Sequence, residues 1–143
     1  MRKSLHVMLA VALVVGALSG LALAHETKEL GEWRVIFGMT PEPVFTDQFY
    51  KTTWRFVDGE GNPVVGLRNL SVTVLKDGVP YGPFTVSAAH GSPGLYETPH
   101  VFATAGEYRF VLTGVGPEGS ATGNFSIEFY KEVHDVSVIT VGG

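Results

Sequence analysis

From residue 33 onward, apolar and polar positions alternate in short runs separated by turn residues. In "EWRVIFG" the residues Trp33, Val35 and Phe37 share one side. In "YKTTWRFVD", Tyr50, Thr52, Trp54 and Phe56 lie opposite Lys51, Thr53 and Arg55. "GEYRFVLTG" sets Tyr108, Phe110 and Leu112 on one face, and "GNFSIEFYK" does the same with Phe125, Ile127 and Phe129. A period of two puts successive side chains on opposite faces of a strand, so each run predicts a strand with one buried face. "SVTVLKDG" ends in Asp77-Gly78, a favoured two-residue hairpin turn because glycine accepts positive φ. "PFTVSAA", "LYETPHVF" and a terminal "DVSVITV" complete a set of about 7–8 strands. Pro99 marks the run that holds it as an edge strand or a bulge, since proline donates nothing to a ladder.

No stretch predicts a helix past the first 24 residues, and the glycines and prolines fall mostly between the strands. Strands with one apolar face each must pair their sheets face to face. The expected fold is an all-β, immunoglobulin-like antiparallel β-sandwich over residues 32–143. Trp33, Trp54, Tyr108, Phe110, Phe125 and Phe129 are its expected core. Residues 25–31, "HETKELG", are polar and read as a flexible lead-in.

The first 24 residues carry a different pattern. Arg2 and Lys3 precede an apolar core, Val7 to Val15, and "GALSGLALA" ends in small residues with Ala22 and Ala24 at signal-peptidase spacing. This predicts a signal peptide, residues 1–24, cleaved before His25, and hence a secreted or extracytoplasmic protein at the periplasm or cell surface. The 143 residues then leave one domain-sized chain. Loss of Arg2 and Lys3 takes the formal charge from −4 to −6. An acidic surface with scattered charges argues against nucleic acid and against anionic lipid as partners. The chain contains no cysteine, so neither a disulfide nor a thiolate metal site is available.

Two glycine-rich motifs lack the context their chemistry needs. "GVGPEG", residues 114–119, has dinucleotide-fingerprint spacing but is followed by a strand instead of a helix, and reads as a hairpin loop. "DGEGNP", residues 58–63, begins like a calcium loop but places Pro63 where glycine belongs, and reads as a turn. His90 and Ser92, two apart in "AHGSPG", have no carboxylate placed to orient the histidine. These observations point to a protein that is not an enzyme. Asn69 in "NLS" and Asn124 in "NFS" are glycosylation sequons.

Cleavage after Ala24 would free the amine of His25, and amine and imidazole together can chelate copper. His90 and His100 are the candidate further ligands of such a site, and Met39 offers a thioether. Three functions follow as expectations. The first is a non-enzymatic binding or accessory domain that presents the loops 40–48, 88–94 and 114–122 to a protein partner. The second is copper binding through His25, His90 and His100. The third is a surface-fibre subunit that pairs through its terminal strand.

Over about residues 33–113 the chain resembles the YtkA-like family of secreted Ig-like domains. Asp58, Gly61, Pro63, Val64 and Gly66 match its "D-x-x-G-x-P-V-x-G" element. Gly94 with Tyr96, then Gly106, Tyr108 and Phe110, match its later "G-x-Y" and "G-x-Y/W-x-F" elements. The resemblance implies an extracytoplasmic β-sandwich without established catalysis, in which the glycines fix corners and the two tyrosines fill the core or brace a turn. The CopC-type copper-resistance proteins are a more distant comparison. Their D-x-H ligand pair is matched here only by His134-Asp135 in the reverse order.

Overall fold

A computed structural model of the protein describes residues 25–138. The segment expected as a signal peptide lies outside the described residues. Ten strands are formed: β1 Glu26–Leu30, β2 Trp33–Thr40, β3 Val44–Phe45, β4 Phe49–Val57, β5 Arg68–Lys76, β6 Val79–Thr85, β7 Ser87–Ala88, β8 Leu95–Val101, β9 Gly106–Val115 and β10 Asn124–His134. One sheet has the order β1-β2-β4-β8-β7 and the other β3-β10-β9-β5-β6. Neighbours are antiparallel except β3, which runs parallel to the end of β10. The fold is an immunoglobulin-like β-sandwich, with β2-β4-β8-β7 facing β10-β9-β5 as A-B-E-D faces G-F-C.

The period-two residues meet in the middle. Val35, Phe37, Tyr50, Trp54, Phe56, Phe110, Leu112 and Phe129 are fully buried, with Trp33, Tyr108, Phe125 and Ile127 close to it. Phe37 sits at the centre, stacked on Phe129 at 4.9 Å and tilted against Phe110 and Trp54 at 5.2 and 5.8 Å. The two tyrosines do both things expected of them. Tyr108 donates to the carbonyl of Thr104 at 2.7 Å, the tyrosine corner that ties β9 to the turn before it. Tyr96 donates to the carbonyl of Val64 at 2.9 Å and its oxygen accepts the Leu67 N–H at 3.3 Å, fastening the 58–67 connection.

The turns form as their residues require. Asp77 and Gly78 both have positive φ, 51° and 78°, and close the β5–β6 hairpin. Asp58 Oδ1 accepts the N–H groups of Glu60 and Asn62, each at 2.9 Å, so "DGEGNP" is an Asx-type turn between β4 and β5. "GVGPEG" begins with the last two residues of β9, Gly114 and Val115, and continues into the β9–β10 connection, which leads into a strand.

Residues 25–31 correct the expectation of a flexible lead-in, because β1 pairs along its whole length with β2, from Glu26↔Phe37 to Leu30↔Trp33. Its inward-facing positions are Glu26, Lys28 and Leu30. Glu26 Oε2 accepts the N–H of Tyr130 at 3.1 Å, and Lys28 Nζ donates to the carbonyl of Glu128 at 2.5 Å. Lys28 Nζ also lies 5.3 Å from the Phe129 ring centroid. β3 covers β10 only at Val133 and His134. Two charged side chains of β1 therefore occupy main-chain groups of that edge at Glu128 and Tyr130, a recognised way of blunting an edge strand. The terminal strand expected from Asp135 is not formed in the described part. Val136–Val138 is a 3₁₀ turn, with the Asp135 carboxylate accepting the Ser137 N–H and hydroxyl. Residues 139–143 lie outside the described residues.

Candidate functional site

The two lateral sides of the sandwich differ. Where β1 meets β10 the side is clasped, as above. On the opposite side β8 faces β6, and β7 covers β8 only at Tyr96 and Glu97, so Pro99, His100 and Val101 lie on an open edge. This is where Pro99 was expected to place it. On the facing sheet, β6 is exposed along its whole length and carries Pro80 and Pro83, with its register shifting between Val72 and Val74 of β5. Neither edge strand can zip fully to the other sheet, and a gap remains between them.

That gap is a cavity of about 270 Å³ lined by Val74, Tyr81, Phe84, His100, Val101, Phe102 and Tyr108 and bounded by Ala103 and Thr104. None of these is Asp, Glu, Lys or Arg. Three large apolar residues at its mouth face solvent: Val101 (61 % exposed), Tyr81 (52 %) and Phe84 (38 %). Val101 is paired across β4 with Phe49, itself 62 % exposed, so the apolar surface continues over the outer face of the sheet.

His100 is the polar feature of this wall. Its inward direction follows from alternation, because Tyr96, Thr98, His100 and Phe102 all point to the core side. Nδ1 lies 3.0 Å from the hydroxyl of fully buried Thr52, while Nε2 is buried with no hydrogen-bond partner among the described residues. Phe84, Phe102 and Phe110 surround the ring at 5.3, 5.8 and 5.9 Å. Burial in this apolar shell lowers its pKa from the ordinary 6.5 to about 4.

The folded protein thus binds a proton at His100 more weakly than the unfolded chain does. Stability falls as pH drops from about 6.5 to about 4, and the loss is complete below the folded value. Allowing for the partial exposure of the ring, the expected contribution is ~2 kcal/mol. Urea denaturation at pH 7 and pH 4 should show the wild type losing about that much more than His100→Gln. Parallel losses in the two proteins would remove His100 as the cause.

The histidines expected to form a copper site are not brought together. The His25 imidazole lies over Gly38, its Cδ2 2.9 Å from where a Cβ on that glycine would be. Gly38 falls between inward-facing Phe37 and Met39, so this places the His25 ring on the outer face of the sheet. His100 is on the inner face of β8, three strands away. His90 is exposed in the β7–β8 loop, and the turn there is set by backbone bonds of Ser92 with Ala89 and Leu95. Met39 is a core residue, 3 % exposed. Among the described residues, no group of three or more His, Asp or Glu is gathered as a metal site would need. Distance and opposite faces separate what spacing alone left open.

The three loops expected to be presented to a partner lie at two different ends of the sandwich. The pairs Phe49↔Val101 and Val133↔Gly106 put 40–48 at the end that holds the 102–105 turn. The bond from the Phe56 N–H to the Gly94 carbonyl puts 88–94 at the other end, with the 58–67 connection. Arg68 ties 114–122 to that same end through the Gly116 carbonyl, at 3.0 and 2.9 Å. Both sequon asparagines, Asn69 and Asn124, are exposed.

Tyr81, Phe84 and Val101 were not singled out by the sequence patterns. The available signal was large apolar residues on runs marked by proline as edges, where no second sheet can cover them. The described residues form an immunoglobulin-like sandwich with an uncharged cavity in one lateral edge. No family model matches the chain, and no curated protein matches it either.

Proposed function

We propose that this protein is an exported, non-enzymatic binding or accessory domain whose binding face is the open β6/β8 edge. The observation that carries this reading is the asymmetry of the two sides. One has charged side chains of β1 on main-chain groups of β10, and a hollow beside β3 lined by Glu42, Glu107, Lys131 and Glu132. The other keeps Tyr81, Phe84 and Val101 in solvent around a cavity with no charged residue in its lining. Exposed apolar surface of this kind, gathered at a concavity, marks binding sites. The A-x-A ending at Ala24 and the YtkA-like elements support export. A cut there falls just ahead of β1 and takes nothing from either described sheet.

A photoreactive benzophenone side chain at position 81, with position 27 on the clasped side as control, tests the binding face in exporting cells. The intact mass of the recovered protein should begin at His25 and show a discrete adduct from position 81 only. Equal adducts at both positions, or none at either, would overturn the reading.

A further inference from the structure

The lining of the β6/β8 cavity restricts what it can hold. About 150 Å³ of apolar cavity accepts benzene, so about 270 Å³ has room for one ring with a small substituent. No Asp, Glu, Lys or Arg lines the wall, and the neighbouring Lys76 Nζ, 5.9 Å from the Tyr108 ring, is already paired with Asp77 at 2.9 Å, so the desolvation of an ionised group would go largely uncompensated. His100 adds no charge at neutral pH, since burial keeps it in the neutral form. One buried polar atom in the wall has no hydrogen-bond partner among the described residues: His100 Nε2, although Nδ1 has Thr52. Buried polar atoms left unpaired in a folded protein are few and costly, and a ligand group is one way of satisfying them.

The flanking backbone argues against an extended peptide as occupant. A strand added to a sheet edge is held by main-chain hydrogen bonds. Here Pro80 and Pro83 on one edge and Pro99 on the other supply no N–H, and β6 breaks register at Gly82 and Pro83. Recognition is left to the side chains around the cavity. Phe84 stands edge-on to the His100 ring at 5.3 Å and is partly in solvent, and its side chain has to turn aside for a ligand to reach the buried Nε2.

Building on the binding reading above, we propose that this cavity binds a neutral small molecule of one aromatic ring bearing a single hydrogen-bonding group, which meets His100 Nε2. Tyr81 and Val101 cover the ring at the mouth, and Val74 and Phe102 form the apolar wall.

Titration of the full chain with p-cresol, followed by NMR, tests this. Shifts are expected at the Val101 and Ala103 amides and at the ¹⁵N resonance of His100 Nε2. Toluene should bind about tenfold more weakly, the worth of one hydrogen bond. The ionised relatives p-toluate and benzylammonium should bind more weakly still. In His100→Phe, p-cresol should fall to the toluene level. Should that variant fail to fold, the size of the Nε2 shift in the wild type decides alone, because toluene, which cannot hydrogen-bond to the nitrogen, should move it far less than p-cresol does. No shifts up to the solubility limit of p-cresol would overturn the proposal. So would equal binding of p-cresol and toluene, or binding of the ring only within a tyrosine-containing peptide. An adduct at position 81 without p-cresol binding would refute the ligand class and leave the binding face standing.

Discussion

Replacing Phe37 by alanine is expected to cost about 4 kcal/mol of stability, the largest effect of any single truncation considered. The ring is fully buried and touches aromatic rings from β4, β9 and β10, so it joins both sheets at one point. Removing it deletes the transfer free energy of the ring and leaves a void that four strands locked by ladders cannot close. Phe49 provides the contrast. It is the same residue type on a neighbouring strand, but 62 % exposed, and Phe49→Ala should change stability by under about 0.5 kcal/mol. Guanidinium denaturation of both variants measures the difference. Similar losses in the two would mean that Phe37 is not the junction described.

The second large effect is expected at Lys131. Its Nζ lies 2.8 Å from Glu42 Oε1, and the two side chains are only 11 and 18 % exposed. The same carboxylate oxygen accepts the Met39 N–H at 3.0 Å. The pair thus ties the end of β2 and the 40–48 loop to β10. Lys131→Met strands a mostly buried carboxylate without its cation and should cost ~2–3 kcal/mol. Adding Glu42→Gln should recover most of that loss, because a neutral amide needs no counter-charge. A double variant as unstable as the single one would show that packing of the lysine stem, and not the stranded charge, sets the cost.

How much of this could be read in the chain depends on what each residue answers to. Tyr50, Thr52, Trp54 and Phe56 were legible as one face because alternation is a property of the strand itself. Asp77-Gly78 was legible because the turn conformation is a local demand on two residues. "ETKEL" was not. Its inward positions include Glu26 and Lys28, and their partners are main-chain groups of β10, about a hundred residues away. A pattern of hydrophobicity has no way to register a charge that faces inward to cap an edge.

The same division separates the candidate sites. His25, His90 and His100 were equivalent as imidazoles without close spacing. The sandwich puts the first on an outer face, the second in an end loop and the third against Thr52 and three phenylalanines. Only the last acquires an unusual environment. Phe84 read as an ordinary strand residue, and Tyr81 fell in no expected strand, until β6 proved to be an edge with no sheet over it.

By itself, then, the sequence determined the fold class, the core faces and the turns, which follow from backbone geometry and the burial of apolar surface within a few residues. Which edge is clasped and which stays open was decided only by the tertiary structure. So were the separation of the three histidines and the cavity at His100. Each depends on which strands become neighbours, and on where two sheets of finite width stop covering each other.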